Sequence, residues 1–484
     1  MLKCIEASPL FRIVNPQSIA FFGASNRFSS MGTNQLSSLK ALGFKGQIYP
    51  IHPREKTVLD LKAYASVRDV PAIPDLAVLV LPNRIVPQVM EECGQKGIRN
   101  AIVVSGGFKE VGGEGQALEK QLLAAAEKFG IRFLGPNCLG VANPHHDFNV
   151  TFLPFEGRPG FIGLASQSGS FITQMFDYLK RFHLGFSTGI SVGNEADLDI
   201  VDALEYLAAC PHTRVIALYV ETLRRGRAFI ELARSVAPHK PIVAYYAGGS
   251  EAGSRASRSH TGALAGPDLL YEGVFRQSGV IRARSIPELF DFCWVLGACP
   301  RPQGNRVIIQ THSGGPGAAA ADACSRANLV LPQLSEKTLA GLVPLVPHTG
   351  SFNNPVDLTF SKNPMDFFAA IPDVLLSESG ADGMLVYFLS PVQIVRRNME
   401  SLGVSECEMP ELIDKLYSDQ AVSMADLTEK HHKPLIGFTF QSLENSFIEK
   451  LLDHGMAVLP SPERAARAMA ALVRYSRIVS RPAT

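Results

Sequence analysis

Short, nearly continuous runs of Val, Ile, Leu and Phe alternate along this chain with longer stretches whose apolar positions recur at helical spacing. The first runs fall at residues 18–23, 46–51, 76–81, 100–105 and 131–135, with helical spacing over 86–95 and 116–129 between them. A strand that is apolar on both faces has to be covered on both sides, so such runs joined by crossover helices predict a buried parallel sheet. A second set begins near Gly160, with strands expected at 161–165, 186–192, 215–220 and 242–246. The proline-rich seam CPRPQGN at 299–305 reads as a linker. Beyond it lie apolar runs at 306–311, 384–389 and 434–438, a weakly patterned segment over 396–426 that is expected to be helical, and a closing Ala/Arg helix over 462–476. The pattern predicts an α/β chain of three doubly wound units, bounded at 1–155, 156–300 and 304–484. A length of 484 residues agrees with this at roughly 150 residues per domain.

Composition removes several function classes. Lys and Arg number 46 against 45 Asp and Glu, a net charge of +1 that leaves no surplus to neutralise a nucleic-acid backbone. The apolar runs are strand-sized, far short of the roughly 20 residues of a membrane helix. The N-terminal MLKCIEASPLFRIVNP has no apolar signal core, so a cytoplasmic enzyme is expected. Eight cysteines occur without a C-x-x-C pair. They are expected to be reduced, and neither a zinc ribbon nor any other metal site is expected.

Three strand-to-helix turns are rich in glycine and hydroxyl groups, the composition that lets backbone N–H groups and a helix N-terminus face an anion. The first runs from Phe21 through Gly23, Ser25 and Arg27. It lacks G-x-G-x-x-G, and the next strand ends His52-Pro53-Arg54 before its first acid, Glu55. A basic residue there suits an adenosine carrying an additional phosphate, in NADP or in coenzyme A. The second turn is Ser166-Gln167-Ser168-Gly169-Ser170, and the third is Thr311-His312-Ser313-Gly314-Gly315-Pro316-Gly317. Three such turns in one chain point to a multiply phosphorylated ligand or a phosphoryl-transfer path. The segment SRSHTGALAG adds one histidine, His260, in a run of small and hydroxylated residues with nothing bulky nearby to bury it.

Together, SHTGALAG at 259–266, GPNCLG at 135–140, SQSGS at 166–170, GNEAD at 193–197, SGGFKEVG at 105–112, GGPG at 314–317 and NPVD at 354–357 resemble the motif set of the ADP-forming acyl-CoA synthetases, and more narrowly their α subunit, related to that of succinyl-CoA synthetase. The resemblance runs from about residue 8 to residue 475. It implies a Rossmann-like CoA-binding domain followed by two flavodoxin-like domains. It also implies a ligase forming acyl-CoA from a carboxylic acid, CoA and ATP, through an acyl phosphate and a phosphohistidine.

By this resemblance His260 is the phosphorylated residue and Glu221 orients it. Ser166, Gln167, Ser168, Gly169 and Ser170 hold the phosphoryl group. Gly23, Ser25, Arg27, Pro53 and Arg54 bind CoA, with Pro136 and Asn137 shaping the neighbouring loop. ATP and ADP with Mg2+ would come largely through an ATP-grasp β subunit in trans, in an α2β2 assembly. Tyr246 and Gly249 stand where many relatives carry cations, and Thr311-His312-Ser313 replaces the usual Thr-Asn-Ala. Two rival readings are a non-catalytic regulatory protein of the same fold and an NADP-dependent oxidoreductase.

Overall fold

The computed structural model describes residues 4–253, 266–359 and 363–481. The chain divides into two compact units, Met1–Lys180 with Leu184–Leu289, and Arg181–His183 with Phe290–Thr484. His260 and most of its SHTGALAG motif lie outside the described residues.

The first unit holds two sheets. One is wholly parallel, in the order Gln47–Ile51, Ser18–Phe22, Leu76–Leu79, Asn100–Val103, Arg132–Leu134. Its inner strands are buried along their length, as their unbroken apolar runs require. The expected crossover helices are Val86–Lys96 and Gly113–Phe129, each ended by a glycine in the left-handed region, Gly97 (φ 102°) and Gly130 (φ 64°), where a Cβ would be strained. The second sheet runs Ile281–Ala283, Ile242–Tyr246, Val215–Val220, Ile162–Ser166, Phe186–Ser191, and these five strands are parallel. It then gains the antiparallel pair Val141–Asn143 and Phe148–Asn149, residues that the sequence pattern places with the first domain.

The second unit holds one parallel sheet, ordered Val356–Asp357, Val307–Thr311, Gly383–Tyr387, Leu435–Phe438, Val458–Leu459. Counting only parallel strands, all three sheets share one topology. The first strand of each set sits beside the second on one side and the third on the other, so the direction in which successive strands are added reverses there. The segment 396–426 divides into helices Val392–Ser401 and Met409–His431, interrupted where Gly403 takes a φ of 81°.

His312 opens the turn after Val307–Thr311 and stacks on Phe367 with ring centroids 3.6 Å apart. Its Nε2 is buried without a hydrogen-bond partner among the described residues, and burial pulls the imidazole down to about 4. The folded chain therefore holds it neutral where an unfolded chain, with a pKa near 6.5, would be protonated. Between those values the unfolded state binds more protons, so this contribution is full above about pH 6.5 and is lost as pH falls toward 4, by up to about 3 kcal/mol. A His312→Phe variant, which keeps the aromatic stack, should show a smaller drop in Tm between pH 7.5 and pH 5 than the parent chain.

Candidate functional site

In open parallel sheets, ligands sit outside the carboxyl ends of the strands, where neighbouring connections leave in opposite directions and open a crevice. The first sheet places this switch point between Ser18–Phe22 and Leu76–Leu79. Gly23 turns there with φ 91°, and a Cβ on it would lie 1.9 Å from the Val80 carbonyl oxygen. Ser25 braces the turn, its N–H donating to Thr33 Oγ1 (3.0 Å) and its Oγ accepting from the Arg27 N–H (3.2 Å). Asn26 ties it to the next strand end, donating through Nδ2 to Glu55 Oε2 (2.6 Å) and the Thr57 carbonyl (2.9 Å). His52 is occupied by its own turn, Nδ1 accepting from the N–H groups of Arg54 and Glu55 at 3.2 and 2.9 Å. Arg27, Pro53 and Arg54 are exposed, and neither guanidinium has a carboxylate partner among the described residues. Arg27 and Arg54, the basic residues singled out from sequence, thus both stand exposed near the first switch point.

The second switch point lies between Ile162–Ser166 and Val215–Val220 and brings Ser166–Ser170 against Glu221, bonded to Gln167 across 54 residues of chain. Gln167 makes that junction. Its Oε1 accepts from the N–H groups of Glu221 (2.5 Å) and Thr222 (3.0 Å), and its Nε2 donates to the Thr222 carbonyl (2.9 Å). Ser166 is fully buried and gives its hydroxyl to the Ser168 carbonyl (2.7 Å). Ser166 and Gln167 therefore shape the turn. Ser168, Gly169 and Ser170 stand at the open N-terminus of helix Gly169–Lys180, and Glu221 is buried at 4% exposure.

Ser168 and Glu221 line one end of a cavity of about 780 Å³ that extends along the carboxyl edge to Tyr245, Gly249 and Arg284. Gly253, the last residue described before His260, lines it too. Gly266, the first described after it, is held there through its carbonyl, which accepts from the Tyr246 hydroxyl at 2.8 Å. Tyr246 stacks on Tyr271 with centroids 3.7 Å apart. Gly249 is bare for a steric reason, since a Cβ would sit 2.1 Å from Asp268 Oδ1. Asp268 is paired with Arg282 and Arg284, both of which also bind Glu272, and the Arg282 bonds hold the Asp268 carboxyl below its ordinary range. The positions that lack cations at 246 and 249 thus face two arginines already matched by two acids.

Pro136 and Asn137 sit where the loops of the two sheets meet. The Pro136 carbonyl accepts from Asn194 N–H (2.9 Å), and Asn137 Nδ2 donates to Asn194 Oδ1 (3.2 Å). Next to them Glu195 is 3% exposed, at φ 55°, accepts from Ile200 N–H (2.8 Å) and contacts Gln167. Burial raises its carboxyl to about 7. The tyrosines at 219 and 245 were missed by sequence reasoning. Their signal was two phenols closing otherwise aliphatic strands.

Comparison with known proteins gives matches over the same segments. Residues 17–144 match the family described as a CoA binding domain, and residues 159–296 the one described as a succinyl-CoA ligase like flavodoxin domain. Two relatives from Pyrococcus furiosus, acetate–CoA ligase (ADP-forming) I subunit alpha and II subunit alpha, are 37% identical over 470 residues and 36% identical over 466. In each case 96% of this chain and 97% of the relative are covered. Among solved structures, a dinucleotide forming acetyl-coenzyme A synthetase 1 of Ca. Korarchaeum cryptofilum, in complex with phosphate and ADP, superimposes with a TM-score of 0.85 at 34% identity, covering 97% of both chains.

The first turn offers a direct check. Gly23→Ala would force a Cβ against the Val80 carbonyl in a left-handed conformation, at a cost of about 1–3 kcal/mol from backbone strain alone. Thermal melts should show the loss, and isothermal titration should show CoA affinity at least tenfold weaker.

Proposed function

Because the chain belongs to the family of α subunits of ADP-forming acyl-CoA ligases, we propose that it performs the CoA half of a reversible carboxylate–CoA ligase reaction, with His260 carrying the phosphoryl group. Membership in this family disfavours the regulatory and NADP readings. In the ATP-consuming direction, the terminal phosphoryl group of ATP passes to His260 and ADP leaves. A carboxylate oxygen of the acid then takes that phosphoryl group, forming an acyl phosphate and restoring the imidazole. The CoA thiolate attacks the acyl carbon, and inorganic phosphate departs. Conserving the energy in a phosphoramidate keeps it from water between the two half-reactions.

The observation that carries this reading is the second switch point, because Gly253, before the His260 segment, lines the cavity that Ser168 and Glu221 also line, and Gly266, after it, is bonded to Tyr246 of the same lining. Ser168, Gly169 and Ser170 offer donors to the phosphoryl oxygens, supported from behind by Ser166 and Gln167. Glu221 holds the imidazole tautomer and balances the charge that develops on it. At the first switch point, the cradle at Gly23 and Ser25 and the unmatched cations Arg27 and Arg54 beside Pro53 fit the phosphates of CoA, with Pro136 and Asn137 on the side toward the second sheet. We assign the domains as 1–155 for CoA, 156–300 for the phosphohistidine and 304–484 for the second flavodoxin-like ligase domain.

The nucleotide, with Mg2+, belongs to an ATP-grasp β subunit acting in trans within an α2β2 assembly. All eight cysteines are free thiols, which suits a cytoplasmic location, and among the described residues no helix is long and apolar enough to cross a membrane.

Incubation with the β subunit and ATP labelled in its terminal phosphate should give an acid-labile, base-stable phosphoprotein. His260→Ala should lose both the label and thioester formation while keeping CoA affinity within about twofold. Thioester formation by that variant at the parent rate rejects the mechanism. Replacing Arg27 and Arg54 together by Ala should weaken CoA binding by at least tenfold, with a flatter dependence on salt.

A further inference from the structure

Gln167 uses both hydrogens of its amide nitrogen. One goes to the Thr222 carbonyl at 2.9 Å, and the other to Glu195, whose carboxylate accepts from the Gln167 side chain and from the Ile200 N–H at 2.8 Å. With the N–H groups of Glu221 and Thr222 on its oxygen, all four bonding positions of this amide are filled. Three of the four partners are backbone groups, so Glu195 alone among them can change its charge.

Helix capping does not account for a carboxylate here. Helix Ile200–Ala209 already has Asp199 as its cap, accepting from the N–H groups of Val201 (2.8 Å) and Asp202 (3.3 Å). Glu195 also sits at φ 55°, a conformation that glycine or asparagine adopts with less strain. The backbone around it is fastened on both sides. The N–H groups of Asn194 and Ala196 donate to the carbonyls of Pro136 (2.9 Å) and Gly135 (3.0 Å), and the Val192 N–H donates to the Ser166 carbonyl (3.0 Å). The Asn194 side chain donates to Glu110 Oε2 (2.5 Å) and accepts from Asn137 Nδ2 (3.2 Å), and its carbonyl accepts from the Lys109 ammonium. The Arg224 guanidinium donates to the Glu195 carbonyl. The loop is thus a fixed mount, tied to the serine turn at Ser166, that sets one buried acid against Gln167.

Resting on the ligase reading above, we propose that Glu195 is a positioning residue for phosphoryl transfer to His260. As a carboxylate it locks the Gln167 amide, and through that amide it holds the serine turn against the strand end that carries Glu221. Protonation turns one of its two oxygens into a donor and weakens what the other accepts, so the brace on Gln167 loosens. Burial raises this carboxyl to about 7, while the hydrogen bonds from Ile200 and Gln167 and the charge of Arg224 favour the ion, Asp199 opposes it, and Lys109 adds a second cation nearby. The brace is therefore complete above neutral pH and is lost as pH falls through that value.

The test is the single-turnover rate of His260 labelling between pH 5.5 and 8.5, with the α and β subunits assembled and ATP labelled in its terminal phosphate. On a plot of log rate against pH, the acid limb should be one proton steeper in the parent than in Glu195→Gln, which should also label at least tenfold more slowly at pH 8. A role in folding alone would lower the rate without changing that steepness. Glu195→Asp withdraws the carboxylate from Gln167 but keeps it ionisable, so it should be slower while retaining the parent's steepness. Gln167→Ala should match the loss in Glu195→Gln, and the double variant should be no slower than either to within about twofold, because the two residues act as links of one chain. An acid limb of unchanged steepness in Glu195→Gln, additive losses in the double variant, or labelling by Glu195→Asp and Gln167→Ala at the parent rate overturns the assignment of Glu195 and leaves the ligase reading intact. No label on His260 in the parent at any pH overturns the ligase reading and this assignment with it.

Discussion

One carboxamide holds the centre of this chain together. Gln167 leaves the strand Ile162–Ser166 and closes three hydrogen bonds onto residues 221 and 222, fixing the serine turn against the acid at the next strand end. Only an amide serves there, because it accepts two N–H groups on its oxygen while donating from its nitrogen to a carbonyl. A glutamate would leave the Thr222 carbonyl without its donor and add negative charge beside a turn built for an anion. Glu195 buttresses the amide from the other side, and its burial keeps the neutral form accessible near neutral pH.

The topology explains why that junction exists and why it has counterparts. Each parallel sheet places its first strand between its second and third, so each has a crevice at its carboxyl edge, and the residues there decide what it can do. In the first sheet the crevice carries a glycine turn pressed against a neighbouring carbonyl, with two exposed arginines at its edge. In the second it carries serines, a helix N-terminus and a buried acid. In the third, a histidine too deeply buried to protonate easily packs on Phe367, and the helix beyond it opens on Gly314 and Gly315. One backbone plan thus presents three chemically different crevices, because side chains, not strand order, set the chemistry.

Around the cavity of the second sheet, charge is balanced within the wall. Arg282 is 7% exposed and lies between Asp268 and Glu272, with Arg284 outside it on the same two acids. Gly249 leaves space for Asp268, and the Tyr246 ring stacks on Tyr271. The resulting wall is aromatic and close to neutral, and the remaining charge faces the serine turn.

Much of the fold could be read from the order of residues. Unbroken apolar runs between helical stretches can satisfy their backbone and bury their faces only as covered parallel strands, so parallel α/β sheets followed from the pattern. The turns at Gly23, Ser166 and Thr311 were visible as well, since glycine and hydroxyl residues between a strand and a helix have few other uses. Short edge pieces such as Val141–Asn143 and Phe148–Asn149 were not legible, because two or three residues carry no periodicity and the pairing of the first with Phe186–Ser191, and of the second with the first, is settled by the sheet they join. Tertiary structure alone decided which serines are open and which are spent on the turn, that Gln167 reaches Thr222, and that Tyr219 and Tyr245 stand side by side. Those facts depend on register between strands that are distant in the chain. Local sequence can specify that a strand is buried, but only packing specifies its neighbour.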